Sequence, residues 1–104
     1  MHAIVDHEFE TEVASRPGMV LVDFWANWCQ PCQAAAPVIE QLAESNAWMH
    51  VVSVDVEHNP VLCSSLKVIS LPTYIVFRDG VEVERISGPQ SQSSLEDLFA
   101  RHAS

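Results

Sequence analysis

Residues 19–25, Met-Val-Leu-Val-Asp-Phe-Trp, are apolar at both alternating sets of positions, with Asp23 as the one acid. A strand apolar on both faces has to be covered on both faces. It therefore belongs at the centre of a sheet with helices above and below. The next segment can supply part of that cover. After a turn at Ala26-Asn27-Trp28, residues 30–45 place Cys32, Ala35, Ile39 and Leu42 at i, i+3, i+7 and i+10. That is the apolar stripe of an amphipathic helix, and Gln33, Glu40, Gln41 and Glu44 fall largely outside it. Pro31 is harmless in the first turn, where its missing N–H had no helical partner. Pro37 is interior, cancels the bond to the Gln33 carbonyl, and predicts a kink.

The remaining elements follow from shorter signals. Asp6 reads as the cap of a helix running to about Ser15, with Phe9 and Val13 on one face and Arg16-Pro17-Gly18 ending it. Residues 50–56 read as a valine-rich strand, and Asn59-Pro60 opens a short helix to about Leu66. Residues 74–77 and 81–87 read as strands joined at Asp79-Gly80, a pair suited to the positive φ angles of a tight hairpin. Residues 94–102 form a last helix around Leu95, Leu98 and Phe99, and the polar run from Gln90 to Ser94 reads as a turn. The order is β/α alternation, then a hairpin, then a helix. It predicts an α/β domain with a mixed, helix-covered sheet. The 104 residues fit one domain, 1–104, and leave no room for a second.

Charge narrows the partners. Fourteen Asp and Glu against five Lys and Arg give a net charge of −9. Such a polyanion is repelled by phosphate backbones and by anionic membrane surfaces, so neither nucleic acid nor membrane is expected as a partner. The longest apolar stretch, Ala34 to Ile39, is far below the roughly 20 residues of a membrane helix. The first residues carry acids where a secretory leader carries lysines, which points to a cytoplasmic protein.

Three cysteines are present, and two of them form Cys29-Gln30-Pro31-Cys32 at the start of the long helix. Three residues are less than one turn, so both sulfurs lie on one side and can close a small ring. The positions are chemically unequal. Cys29 sits at the terminus, where unpaired N–H groups and the positive dipole end favour a thiolate. Cys32 lies on the apolar stripe, where desolvation favours the thiol. One sulfur is thus expected to be exposed and nucleophilic and the other sheltered, the asymmetry that thiol–disulfide exchange requires. The competing readings are a structural bridge or half of a zinc site. The zinc site wants a second ligand pair, and Cys63, His50 and His58 fall at no common spacing for one.

Val22-Asp-Phe-Trp-Ala-Asn-Trp-Cys-Gln-Pro-Cys32, with Ala36-Pro37, Leu71-Pro72-Thr73, Phe77-Arg-Asp-Gly80 and Gly88 in the same order, resembles the thioredoxin family from about Ile4 to the end. The resemblance implies the thioredoxin fold, a central mixed sheet flanked on both faces by four helices. It implies a protein-disulfide oxidoreductase in which Cys29 attacks a substrate disulfide and Cys32 resolves the mixed disulfide. Asp23 matches the family's buried aspartate, a desolvated acid able to accept the Cys32 proton. Pro72 matches a cis-proline that lies against the redox pair, pairs through its neighbouring backbone with extended substrate, and keeps metal off the thiols. Trp28, Pro31, Leu71 and Gly88 are expected to frame a shallow apolar substrate surface. The resemblance further implies no bound cofactor and a monomer. Partners would be disulfide-containing proteins and a dithiol donor, typically thioredoxin reductase with its FAD and NADPH.

The chain also departs from the family pattern. Gln30 replaces the usual glycine, and with Pro31 it tunes the stability of the reduced pair. Gln33 stands where a lysine is common, which removes electrostatic support for the Cys29 thiolate. Ser53 aligns with a strand lysine that often neighbours the aspartate, so Asp23 should be harder to ionise here. Cys63 falls at a position that is often small and reads as a buried hydrophobe, with a regulatory thiol as the other reading. The two glutamines keep an alternative function in play, a chaperone or assembly factor with little redox turnover.

Overall fold

The two-faced strand is the middle of the sheet. The computed structural model of the chain describes residues 2–4 and 8–103. Its strands are β1 (His2–Ile4), β2 (Met19–Trp25), β3 (His50–Asp55), β4 (Thr73–Arg78) and β5 (Val81–Ser87), in the sheet order β1-β3-β2-β4-β5. β1 and β2 run parallel to β3, while β4 is antiparallel to β2 and β5 to β4. The described residues also form a π-helical turn (Glu10–Ala14) and three α-helices: α1 (Gln30–Ser45), α2 (Pro60–Ser65) and α3 (Gln92–Ala100). None of these helices is long and apolar enough to cross a membrane.

Alternation along β2 sorts the core into two layers. Val20, Val22 and Phe24 face a cluster with Val52, Val54, Leu62 and Ile75, closed by Val13 and by α2. Leu21 faces the other way, into a cluster with Ile39 and Leu42 of α1 and Leu95, Leu98 and Phe99 of α3. Burying both faces of one strand in this way is what holds the parallel β2–β3 pair in register, because a one-residue slip would exchange the two layers. Strand β2, helix α1 and its buried stripe of Cys32, Ala35, Ile39 and Leu42 fall where the sequence puts them. Helix α1 runs without a break through Pro37.

Three local expectations are revised, and one strand is new. The first helix ends at Ser15 as expected, but its described part is mainly a π-helical turn, and its proposed cap, Asp6, lies outside the described residues. Val13 is nonetheless fully buried, and Phe9 packs edge-on against Phe77 with ring centroids 5.6 Å apart. Strand β1 carries no pattern that announces it, being three residues long. Strand β3 ends at Asp55, yet Val56 still donates its N–H to the Trp25 carbonyl at 2.9 Å. The polar run 90–94 is a helix start: the Ser91 hydroxyl accepts the N–H of Ser94 at 3.1 Å, and α3 begins at Gln92.

The hairpin forms as expected. Asp79 and Gly80 take φ angles of 50° and 82° between β4 and β5. Gly80 is required twice over, since a Cβ there would also collide with the Ala14 carbonyl. The Asp79 carboxylate accepts the N–H of Gly18 at 2.7 Å and ties the hairpin to the approach of β2.

Candidate active site

Strand β2 and helix α1 meet at the cysteines. Cys29 is the N-cap of α1, with extended backbone (φ −88°, ψ 103°), and its N–H donates to the Ala26 carbonyl at 3.1 Å. Its Sγ accepts the N–H of Cys32 at 3.2 Å. A sulfur in this position takes the place of the oxygen of an ordinary capping side chain, so a first-turn amide is already directed at it. Cys29 and Cys32 are joined as a disulfide with Cα atoms 5.2 Å apart.

The expected contrast in exposure is absent. Cys29 is 5% and Cys32 6% exposed, so both residues are buried in the oxidised pair. The cause is the wall around them: fully buried Ala26 packs with both cysteines, and Trp25, Val56 and Leu71 close the cluster. What distinguishes the sulfurs is therefore position on the helix. Cys29 holds the capping site and its amide donor, while Cys32 belongs to the inward stripe.

Gln33, read from the sequence only as a lost cation, has a local role. Its Nε2 donates to the carbonyls of Ala26 and Asn27 at 3.3 and 3.4 Å, bracing the loop that presents Cys29. Trp25 is half-buried and lies against the cysteine cluster. Neither role is visible in residue type alone.

Asp23 is buried, and its strand register sets its neighbours. It stands opposite Ser53 on β3 and Tyr74 on β4, on the same sheet face as Leu21. Leu21 shares its cluster with Ile39 and Leu42 of α1. Two strand residues rise about 6.6 Å, and four helix residues about 6 Å. Asp23 thus lies about one helical turn nearer than Leu21 to the cysteine end of α1. Ser53 occupies the neighbouring position, so that neighbour supplies no cation. Burial alone pushes the Asp23 acid up to about 7.

The Leu71–Pro72 peptide bond is cis and Pro72 is buried, while Leu71 packs against the cysteine cluster. The Pro72 carbonyl accepts the N–H of Gly88 at 2.8 Å, which links two of the expected site segments. Gly88 has φ 87° with open space around it, so backbone conformation rather than crowding calls for glycine. Trp28 is 66% exposed beside Cys29, and Gln30 and Pro31 are exposed between the cysteines. Cys63 is buried on α2 in the opposite core layer, outside the disulfide.

A disulfide closed across the first turn of a helix, at the end of a central strand and covered by Leu71, defines a dithiol–disulfide exchange protein. The family model for thioredoxin matches residues 1–101. The thioredoxin of Staphylococcus epidermidis is 38% identical over 100 residues, covering 95% of this chain and 94% of its own length. That of Staphylococcus aureus is 39% identical over the same shares. The chain belongs to the thioredoxin family. Its activity is that of a protein-disulfide oxidoreductase, carried on its own cysteine pair, and a holding module without turnover is not favoured.

Proposed function

We propose that Cys29 is the attacking thiol, Cys32 the resolving thiol and Asp23 the proton acceptor in reduction of protein disulfides. The observation that carries the assignment is the capping geometry, in which the Cys29 sulfur receives the Cys32 amide at 3.2 Å. In the reduced protein that amide and the helix terminus favour a thiolate at Cys29. The thiolate attacks one sulfur of the substrate disulfide, forms a mixed disulfide and expels the first substrate thiolate. Asp23 takes the proton of Cys32, and the Cys32 thiolate attacks Cys29. The Cys29–Cys32 disulfide forms and the second substrate thiolate leaves. Two electrons have passed from the pair to the substrate.

The supporting residues divide by position. Gln30 and Pro31 set the strain of the ring and access to it, and so tune the potential. Exposed Trp28 and Pro31, with Leu71 and Gly88, form the apolar rim that receives substrate. The backbone at cis-Pro72 orients the substrate segment. The oxidised pair is returned to the dithiol by thioredoxin reductase, whose FAD and NADPH supply the electrons, or by another dithiol donor. The protein itself acts without a bound cofactor, as a monomer in the cytoplasm.

Trapping tests the assignment. Cys32→Ser accumulates a covalent mixed disulfide with a disulfide-bonded substrate, because no resolving thiol is left. Cys29→Ser forms none and loses turnover. The reverse pattern, with Cys32 as the trapped residue, overturns it.

A further inference from the structure

In the middle of the sheet face under α1 and α3, next to buried Leu21, Val51 and Val76, runs one polar transverse row. Ser53, Asp23 and Tyr74 stand side by side on β3, β2 and β4, in direct register. Directly opposed residues of an antiparallel pair hold their Cβ atoms about 5 Å apart, so Tyr74 and Asp23 share one patch of interior. Tyr74 is completely buried, and its hydroxyl has no hydrogen-bond partner among the described residues. Phenylalanine would fill the same volume without placing a hydroxyl in an apolar layer. Buried hydroxyls are almost always hydrogen-bonded, to protein or to an internal water.

We propose that Tyr74 is a positioning residue for the exchange reaction: through one buried water shared with Ser53, its hydroxyl donates a hydrogen bond toward the Asp23 carboxylate and eases ionisation of that acid. The inference rests on the reading of Asp23 as proton acceptor for Cys32. The proton still passes from the Cys32 thiol to Asp23, and Tyr74 keeps its own throughout. Burial, and then the charge of Asp23, make the Tyr74 hydroxyl a weaker acid than usual, which suits a permanent donor. The row thus supplies by hydrogen bonding part of what a cation at position 53 would supply by charge.

The other ionisable groups on the packed elements are engaged or turned outward. Asp55, at the end of β3, accepts from the Glu57 N–H and pairs with His58. Arg78, at the far end of β4, donates to the His102 carbonyl, and Glu84 of β5 binds Arg101 and His102. Glu96 of α3 accepts from Asn46 and Gln92. Glu40 and Glu44 of α1 and Asp97 of α3 are exposed.

The test is the pH profile of disulfide reduction in the wild type, Tyr74→Phe and Asp23→Asn, alongside the carboxyl ¹³C shift of Asp23 followed through titration. In Tyr74→Phe the Asp23 midpoint rises by about half a pH unit or more, and turnover at about pH 6 falls about threefold with none lost at about pH 9. Asp23→Asn removes the inflection. An unchanged Asp23 midpoint in Tyr74→Phe, with the inflection lost in Asp23→Asn, overturns the role of Tyr74 alone. An inflection that survives in Asp23→Asn overturns the proton-acceptor reading and this inference with it. The carboxyl shift reads the midpoint directly, so reduced turnover from altered packing cannot imitate the result.

Discussion

Asp23 shows how one side chain couples stability to chemistry. Its acid ordinarily ionises at 3.8, and burial moves it to about 7. Because the folded-state value is raised, the unfolded chain releases this proton first as pH climbs. Below about pH 4 both states are protonated and Asp23 imposes no ionisation cost. Stability is then lost progressively up to about pH 7, and above it the cost levels off at about 4 kcal/mol. Asp23→Asn should therefore flatten this part of the profile, so that the stability difference between variant and wild type shifts in the variant's favour as pH rises from 4 to 8. Urea unfolding of the oxidised protein across that range measures it, and parallel profiles would contradict the burial argument. The acid itself is legible in the sequence as the misfit in an apolar strand. Its neighbours are legible only in part. Position 53 could be aligned on Asn59-Pro60, but pairing with Tyr74 depends on antiparallel register, which no local pattern records. The equal burial of Cys29 and Cys32 was hidden for the same reason: Leu71 and Val56 arrive from distant parts of the chain to cover both.

Elements were readable where periodicity was long and were not where a cap decides. Strand β2 and helix α1 follow from seven and sixteen residues of consistent pattern. Strand β1, with three, has no such pattern. The run Gln90–Ser94 looks like a turn because serine and glutamine dominate it, yet Ser91 converts the same composition into a helix start. Ser91→Ala should accordingly lower stability by about 1 kcal/mol, read as a reduced urea midpoint. Leu42→Ala should cost more, about 2–5 kcal/mol, because Leu42 is fully buried between α1 and the sheet and leaves a cavity. If the two variants lost equal stability, α1 would not be the packed cover of β2 described above.

At the scale of the whole molecule the field is acidic, with a net charge of −9. Contact with basic substrates should be accelerated at low salt and contact with acidic ones slowed, with both effects shrinking once the Debye length falls to about 8 Å in physiological salt. Reduction rates of matched basic and acidic disulfide peptides across salt would show converging curves, and parallel curves would remove charge from substrate choice. The same field opposes a thiolate at Cys29, while the helix terminus and the Cys32 amide favour it at contact distance. Contact distance should prevail, because the diffuse field is screened and the amide is not. The decisive measurement is the pH dependence of alkylation at each cysteine of the reduced protein, resolved by mass spectrometry. Cys29 should react as the more acidic thiol, with a midpoint below the roughly 8.5 of free cysteine, and Cys32 should lag behind it. A Cys29 midpoint at or above that value, or two indistinguishable thiols, would contradict the account.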